Sequence, residues 1–576
     1  MEGEGSPAPA DRLQLAVVDH TMTTNSKFDD LLAQLGTGKW NFMFFVAIGY
    51  WNMHLAPAIL SLPFLAPQVD HTCLPPDNGY TVTSYTVDSH GNNITSTDNC
   101  NYLANSTSDG GGGFSQVACT AWLYDNSTFT STLTSQFNLV CSSEYLRATY
   151  SSMYMFGTLI GAPINGCLSD RFGRKTMLTV GVLVFFSLSI GACWIPVFSG
   201  ILGVRFILGL MHPAIMQSGY ILALEVTEPK HRSVVGIVLS LPWALSTMAW
   251  GGVAYLIREW QWLQLAVSLP ALLLLPALWF LDESPRWLIV NGHFERALEV
   301  LRRAARWNNT SLPPTQDLTL LMRAIQKEST IAKEAARGEP SEDQGCQQTT
   351  CHCFLRRLTL FRTPKLRLLT LVLSFNFFMV SATFYGMSLN AVNYSADPFV
   401  YMVVGGLVEV PGYTVMAPIV ARLGRKWPNI VCYFVSGTVI MALAFIPPGT
   451  MWLVMTLAMV GKMCISAAYQ ILYLYTMELF PTEVRLQGLG FATIASRVGS
   501  IFSPFITDYL GPVYPSAPSL TFGLSAILAG LSMLPLRETL GVKLPDTISD
   551  LEDPQPQRYD RSDNSTSEAE MAKLRA

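Results

Sequence analysis

The sequence predicts an all-α integral membrane protein with twelve transmembrane helices in two six-helix halves of pseudo-symmetric arrangement. Half of the 576 residues are hydrophobic and only 14% are charged, whereas a typical soluble chain has about 25% charged residues. Apolar runs of about 20 residues, the length that crosses a bilayer as a helix, recur along the chain. The lipid bilayer is therefore a predicted partner, and the net charge of −4 gives no indication of a nucleic acid partner.

The apolar runs place six spans on each side of a polar segment. The first six cover Phe42–Ala66, Tyr150–Leu168, Thr176–Phe198, Ile201–Val226, Ser233–Ile257 and Trp262–Leu281. The second six cover Leu366–Asn390, Pro398–Val420, Ile430–Pro447, Trp452–Leu479, Gly488–Leu510 and Leu520–Leu536. The predicted organisation is an N-terminal segment 1–41, a half 42–281 containing a long loop 67–147, a linker 282–365 with surface helices, a half 366–536 and a tail 537–576.

The distribution of Lys and Arg among the loops predicts the orientation, because cytoplasmic loops are enriched in both. One set of loops is basic and contains Arg171, Arg174, Lys175, Lys230, Arg232, the Arg-rich segment 286–367, Arg422, Arg425, Lys426 and Arg485. The alternate set has only Arg147 and Arg258, near helix ends. Both termini and the linker are therefore predicted to be cytoplasmic, in a multi-pass protein of the plasma membrane.

The loop 67–147 carries features of an extracellular segment. It holds three N-glycosylation sequons, at Asn93, Asn105 and Asn126, and four cysteines, Cys73, Cys100, Cys119 and Cys141. An even number of cysteines beside sequons predicts two disulfides in an oxidising compartment, with three pairings open. The alternative is that the sequons occur by chance in a loop rich in Ser, Thr and Asn.

The two halves contain related motifs at a nearly constant spacing. "SDRFGRK" after the second span is repeated as "ARLGRK" after the eighth, with Gly424 following Gly173 by 251 positions. "EVTEPKHR" after the fourth span is repeated as "ELFPTEVR" after the tenth, with Glu478 following Glu225 by 253 positions. The repeat predicts a duplicated six-helix unit, which is typical of transporters that rock two halves around a central site.

Several motifs resemble those of a known family. "GCLSDRFGRK" is similar to the signature of the major facilitator superfamily in the loop between spans two and three. Together, "ESPRWLI" (283–289), "FRTPKLR" (361–367), "VEVPGY" (408–413), "ELFPTEVR" and "TLGVKLPDT" (539–547) resemble the organic cation, organic anion and carnitine transporter family, of the solute carrier 22 type. The sequence departs from the family at Asp282, where Pro is usual, and at 537–539, where Pro-Glu-Thr is usual.

The resemblance implies the major facilitator fold and secondary transport of a small organic ion by alternating access. A coupling ion, Na⁺ or H⁺, or a counter-substrate would then supply the energy, and no cofactor is implied. The sequence shows no nucleophile, base and orienter constellation and no nucleotide-binding loop, so the protein is predicted not to be an enzyme. A receptor that binds such a ligand without transporting it is a remote alternative.

Charged residues at the predicted cytoplasmic helix ends are candidates for a gate. They are Asp170, Arg171, Arg174, Glu225, Arg232, Glu283, Arg286, Arg422, Glu478 and Arg485, with Gly173 providing the tight turn after span two. Each half has an acid and a base near this face, Glu225 with Arg232 and Glu478 with Arg485. The resemblance implies that these charges pair across the halves when the inside is closed. The alternative is that the basic residues only set topology.

Three charged residues lie away from the ends of predicted spans: Glu409, Lys462 and Arg497. A charge at the bilayer centre costs roughly 2.5–3.5 kcal/mol on insertion scales, so such residues normally face protein or a watery cavity. Two cations and one anion leave either a positive site or a paired Glu409 with one free cation. A third alternative is that Glu409 and Arg497 neutralise each other as a structural pair.

Aromatic residues in the spans are candidates for the walls of the pocket. They are Tyr220, Trp243, Phe377, Phe384, Tyr413, Tyr469 and Tyr473, and Gln470 adds a polar group. The resemblance implies pocket positions at Tyr220, Trp243, Phe377, Phe384, Glu409 and Gln470. Without the resemblance, packing would be the ordinary role of transmembrane aromatics.

The position of Arg497 predicts the charge of the substrate. At the matching position, cation-selective members of the family carry Asp, whereas members that transport organic anions or carnitine carry Arg. "EVPGY", ending at Tyr413, approximates the "EVPAY" of carnitine-type members. The preferred prediction is therefore a polyspecific transporter of carnitine-like zwitterions or organic cations and amines, and the alternative is a carboxylate exchanger.

Overall fold

The computed structural model describes residues 24–74, 85–87, 93–95, 100–106, 113–335, 358–394, 397–447, 450–481, 484–542, 545 and 548–552. The predicted terminal segment up to residue 23 and the tail beyond residue 552 lie outside the described residues. So does the central part of the linker, 336–357.

The first span is a helix broken at two prolines. A short helix α1 (Thr24–Leu35) precedes α2 (Lys39–Met53), α3 (Ala56–Ile59) and α4 (Leu62–Leu65). Pro57 and Pro63 occupy the first turns of α3 and α4, where the missing proline N–H removes no helical hydrogen bond. The span thus consists of three helical pieces, α2, α3 and α4.

In the parts of the long loop that the structure describes, six strands pair into two-stranded antiparallel sheets. Strand β1 (His71–Cys73) pairs with β6 (Trp122–Tyr124), β2 (Tyr85–Val87) with β3 (Asn93–Thr95), and β4 (Asn101–Ser106) with β5 (Gly113–Ala118). A short helix α5 (Leu133–Gln136) follows. The predicted pair of disulfides is present as Cys73–Cys119 and Cys100–Cys141. Of the predicted glycosylation sites, Asn93 and Asn105 lie on β3 and β4, and Asn126 is exposed.

The remaining helices of the first half are arranged in the predicted order. They are α6 (Tyr145–Phe172), α7 (Arg174–Gly191), α8 (Phe198–Glu225), α9 (Arg232–Val238), α10 (Leu241–Leu256), α11 (Trp260–Ser268) and α12 (Ala277–Phe280). Gly173 separates α6 from α7 with a φ of 101°, a backbone conformation that favours glycine. The fifth span is formed by α9 and α10, and the sixth by α11, a 3₁₀ turn and α12.

In the described part of the linker, the chain forms the helices α13 (Pro285–Val290), α14 (Phe294–Asn308) and α15 (Thr315–Ala335). The sequence predicts surface helices in this linker, and α14 and α15 are its two longest described helices. Helix α14 buries Val300 and Leu301, while its charged side faces solvent. Asn308, at the end of α14, accepts a hydrogen bond from the Trp40 N–H (3.0 Å) and so fixes the linker to the start of the first span.

The second half repeats the first. Its helices are α16 (Pro364–Leu389), α17 (Ala391–Tyr394), α18 (Pro398–Leu423), α19 (Lys426–Leu443), α20 (Met451–Leu479), α21 (Arg485–Phe505), α22 (Gly511–Val513) and α23 (Ala517–Ser532). A helix α24 (Ile548–Glu552) follows in the tail. Gly424, the counterpart of Gly173, has a φ of 94° between α18 and α19.

Eight helical segments in the described part of the chain are long and apolar enough to cross a membrane. The other four predicted spans are helical too, but α10 and α23 have 16 residues each, and α6 and α19 carry more polar residues. Helices therefore occupy all twelve predicted spans. We call the end of the bundle that carries residues 67–147 the loop end and the opposite end the linker end.

The halves meet mainly through α6 against α21 and α10 against α18. Gly406 of α18 lies so close to α10 that an added Cβ would be 2.7 Å from the Ala244 carbonyl oxygen. A glycine is therefore needed where the two halves approach most closely.

Candidate substrate site

The loop end is closed by contacts that join the halves. Arg147 at the start of α6 is 4% exposed, and its Nη2 lies 3.3 Å from the Asp508 Oδ2 of the second half. Arg147 Nε also donates to the Ala66 carbonyl (3.1 Å). Asp508 lies in a π-helical turn, 506–510, that continues α21. Asp508 therefore joins the end of the eleventh span to the first half.

Aromatic rings extend this closure. The Phe399 ring of α18 stacks on Phe64 of α4, with centroids 5.3 Å apart and planes within 4°. Phe64 also packs edge-on against Trp250 at 5.4 Å, and Phe399 against Tyr255 at 5.8 Å. Phe399 belongs to the second half and the other three residues to the first, so the loop end is sealed by an apolar contact beside the ion pair.

At the linker end, the ion pairs lie within each half. Arg174 contacts Asp170 (2.8 Å) and Glu225 (3.4 Å) in the first half, and Arg425 contacts Glu478 (2.9 Å) in the second. Arg232 binds Asp29 of α1 (2.6 Å) rather than Glu225. The pairing across the halves that the resemblance implies for a closed inside is not formed by these residues in this conformation.

A carboxylate caps the third helix of each half in the same way. Glu283 Oε1 accepts hydrogen bonds from the Arg174 and Lys175 N–H groups, at 2.8 and 3.0 Å. Glu538 accepts from the Arg425 and Lys426 N–H groups, at 2.9 and 3.1 Å. The sequence predicts Glu283 as a gate residue but not Glu538. The position of Glu538 just after the twelfth span, equivalent to that of Glu283 after the sixth, could have indicated the same role.

Glu538 is held as a carboxylate by these donors. Burial raises the pKa of its carboxyl, but the backbone N–H groups that bind it outweigh burial and lower the pKa below its ordinary value. The group is therefore ionised at neutral pH, as a helix cap requires.

The other predicted gate residues differ in their exposure and contacts. Arg171 and Arg422 are exposed, and the Arg171 guanidinium lies 5.3 Å from the centroid of the Phe172 ring. Arg485 Nε donates to the Phe480 carbonyl (3.3 Å), and Arg286 is close enough to Glu225 to interact with its charge. The loop end is therefore joined across the halves, whereas the ion pairs named at the linker end lie within one half.

Of the three charges within the spans, Glu409 and Lys462 form a pair. Glu409 Oε1 lies 3.5 Å from Lys462 Nζ, and the two side chains are 1% and 0% exposed. The Tyr413 hydroxyl donates to Glu409 Oε2 (3.3 Å), and Gln470 and Trp243 approach Tyr413 and Glu409 respectively. The Lys462 Nζ lies against Gly405, where a side chain would collide with it, because a Cβ added at Gly405 would be 2.7 Å from the Nζ. Glu409 is therefore neutralised by Lys462 and not by Arg497.

Arg497 has a different environment. Its guanidinium donates to the Tyr385 hydroxyl and lies within electrostatic reach of Tyr469 and Tyr473. No carboxylate among the described residues comes within 4 Å of it. The side chain is partly exposed. Its charge is thus available to an anionic ligand.

Aromatic rings surround this guanidinium. Phe377 packs edge-on against Tyr473, with ring centroids 4.9 Å apart. The rings of Phe384 and Tyr469 are tilted to each other at 5.8 Å, and those of Tyr469 and Tyr473 at 5.5 Å. These are four of the predicted pocket residues. Tyr385, which the sequence analysis missed, contacts Phe384 at 5.2 Å. The helical period of 3.6 residues could have indicated Tyr385, because it follows Phe377 by eight positions and so lies about 80° from it around the helix.

The predicted pocket residues therefore form two groups. Phe377, Phe384, Tyr469 and Tyr473 gather around Arg497, whereas Trp243, Tyr413 and Gln470 gather around Glu409. Tyr220 of α8 in the first half is 40% exposed, and its hydroxyl lies near Gly236. The sequence could not assign each aromatic residue to one charge, because that depends on how the helices pack.

Comparison with known proteins identifies the family. The model of the Major Facilitator Superfamily matches residues 126–504 and 369–546. The chain is 34% identical to organic anion transporter 3 of Homo sapiens over 75% of this chain and 76% of that protein. It is 32% identical to the organic cation transporter protein of Drosophila melanogaster, over the same shares.

Solved structures show the same fold. The xylose transporter XylE from E. coli in a partially occluded inward open conformation superimposes with a TM-score of 0.55 at 16% identity, over 88% of this chain and 100% of that chain. The predicted all-α fold of twelve helices is confirmed, and so are the predictions of a transporter rather than an enzyme and of the family. The protein belongs to the major facilitator superfamily and, within it, to the organic cation, organic anion and carnitine transporter family.

Proposed function

We propose that the protein exchanges or takes up organic anions, with Arg497 binding a substrate carboxylate. One observation carries the proposal: Arg497 has no carboxylate within 4 Å among the described residues, while Glu409, the acidic group in reach, is neutralised by Lys462 at 3.5 Å. A net positive site in a low-dielectric cavity attracts anions and disfavours simple cations. Relatives that are named organic anion transporters support this substrate class.

The rings around Arg497 favour substrates with an apolar body. A carboxylate can accept from the planar guanidinium, whose geometry matches two carboxylate oxygens. The partly exposed rings of Tyr469 and Tyr473, backed by the buried Phe377, then provide flat walls for the rest of the molecule. A carboxylate whose carbon chain can lie against these rings would use both.

Carnitine-like zwitterions, which the sequence favours, are a second candidate. The tyrosine and phenylalanine rings beside Arg497 could hold a quaternary ammonium by cation–π contact while Arg497 binds the carboxylate. The acidic group expected to receive the ammonium is already bound by Lys462. This is why the geometry favours the organic anion.

The transport cycle follows from the two ends of the bundle. We place the loop end outside the cell and the linker end, with both termini, in the cytoplasm. The conformation described is then inward-facing, with the halves 42–281 and 366–536 as the rocking units. Opening the outside requires Arg147 to leave Asp508, and closing the inside requires the linker-end charges to change partners.

Uptake assays test the proposal. Cells that express the protein would be given radiolabelled glutarate, carnitine or tetraethylammonium, with and without preloading by unlabelled glutarate. We expect glutarate uptake that preloading stimulates, little carnitine uptake and no tetraethylammonium uptake. Robust carnitine uptake without glutarate uptake would select the zwitterion instead. Binding without accumulation under any ion or substrate gradient would favour a receptor.

A further inference from the structure

A second buried arginine lies in the opposite half. Arg205 of α8 is 4% exposed and was not among the three intramembrane charges singled out from the sequence. Its Nη1 donates to the Ala58 carbonyl (2.7 Å) and its Nε to the Tyr150 carbonyl (3.4 Å). Its Nη2 is buried with no hydrogen-bond partner. No carboxylate in the described parts of the chain lies within 4 Å of this guanidinium, so its charge lacks a counter-ion.

Two tyrosine rings hold the guanidinium in place. The Arg205 Cζ lies 4.3 Å from the centroid of Tyr150 and 4.6 Å from that of Tyr154. Such contacts offset part of the desolvation cost. They do not neutralise the charge, and a buried charge without a partner is costly.

Arg205 lines a small cavity of about 20 Å³ within the first half, and Gln264 is the other polar side chain at its edge besides Tyr150 and Trp260. A cavity of roughly 10–15 Å³ is enough for one water molecule, so this one has room for a single particle of about that size. Its other walls are mostly apolar and include Leu65, Ile201, Val204 and Leu208. Trp260 also lines it, but its indole N–H is already donated to Gln136 Oε1 (2.7 Å).

We infer that this cavity binds one small monovalent anion of the halide class, with Arg205 as its ligand. A halide can accept from the unpartnered Nη2 and supply the missing negative charge, while the apolar walls suit an anion that is weakly hydrated. Sulfate or a carboxylate is too large for the space. The site is distinct from Arg497, which lies on α21 in the other half, and it does not rest on the proposed substrate.

Thermal unfolding of the full-length protein in detergent tests the inference. Gluconate buffer would be replaced stepwise by chloride at constant ionic strength, and sulfate would serve as the oversized anion. We expect chloride to raise the Tm by about 1–3 °C with saturation, as binding to the native state requires. Radiolabelled chloride should bind with one ion per chain, and sulfate should not compete.

Variants locate the site. Arg205→Met should abolish the chloride shift and the bound chloride, and Val204→Phe, which fills the cavity while keeping Arg205, should do the same. Arg497→Gln and Arg306→Gln, the latter on an exposed linker helix, should keep both. If Arg205→Met does not fold, Val204→Phe alone decides. A chloride shift that survives Val204→Phe, or one that disappears in Arg497→Gln, would overturn the inference.

Discussion

The second half contains two charged sites with opposite designs. At one, Glu409 and Lys462 lie 3.5 Å apart, both fully buried, with Tyr413 completing the pair. At the other, Arg497 is partly exposed and is bordered by tyrosine hydroxyls instead of a carboxylate. The first site has no net charge, and the second has a net positive charge. Counting the charged residues in membrane spans therefore does not give the net charge of a binding site, because a charge that is paired within the protein is not available to a ligand.

The largest effect is expected from breaking the closed pair. Lys462→Met leaves the Glu409 carboxylate buried without its partner, which typically costs about 3–5 kcal/mol. We expect a large fall in Tm and in the amount of folded protein. The double variant Glu409→Gln/Lys462→Met removes both charges and should recover most of the loss. Fluorescence-detected size-exclusion chromatography with heating measures both. Equal stability of the single and double variants would show that the two residues do not act as a pair.

Arg497 should behave in the opposite way, with a large effect on transport and a small one on folding. Arg497→Gln removes a charge-assisted interaction of about 1.5–3 kcal/mol, which corresponds to a roughly 10–150-fold loss of affinity for an organic anion. Arg497→Lys keeps the charge without the planar fork and should lose less. Saturation of glutarate uptake measures the change, with Arg306→Gln as the control. Unchanged uptake by Arg497→Gln would remove this residue from the site.

The loop-end ion pair should control access rather than affinity. Asp508→Asn breaks the contact between Arg147 and the second half. The loss of a partly buried pair that contributes about 1 kcal/mol shifts the equilibrium between the inward-open and outward-open conformations roughly 5-fold toward the outward-open one. Labelling of Leu389→Cys, which lines the small cavity beside the pair, by an impermeant maleimide should accelerate accordingly.

Glu144→Gln is the matched control for this prediction. Glu144 also contacts Arg147 (3.5 Å), but from the same half. Labelling should therefore stay at the unsubstituted rate in Glu144→Gln. An equal acceleration in both variants would mean that the link between the halves is not what closes this end.

The smallest effect is expected at the hydroxyls around Arg497. Tyr385→Phe removes the acceptor of one guanidinium hydrogen bond, worth about 0.5–1.5 kcal/mol, so KM for glutarate should change roughly 2–10-fold. Tyr433→Phe removes a buried hydroxyl that has no partner and should leave KM unchanged. Identical KM values for the two variants would show that Tyr385 does not position Arg497.

The sequence was sufficient for the parts of the structure that depend on local pattern. Apolar length located the twelve spans, and the glycines at 173 and 424 marked equivalent turns. It was insufficient where the answer depends on the packing of distant helices. Glu409, Lys462 and Arg497 come from three helices, and only their relative rotation decides which two charges meet. Arg205 was missed for a related reason. It is the fifth residue of its predicted span, a position where a charged side chain is expected to reach the membrane surface, and only the structure shows that it is buried.

The account is tested most directly by glutarate exchange in proteoliposomes. Vesicles loaded with unlabelled glutarate would be given labelled glutarate and, separately, labelled tetraethylammonium, for the unsubstituted protein, Arg497→Gln and Glu409→Gln/Lys462→Met. The account predicts that the double variant keeps glutarate exchange and still rejects tetraethylammonium, whereas Arg497→Gln loses glutarate exchange. Retention of exchange by Arg497→Gln together with its loss in the double variant would contradict the account.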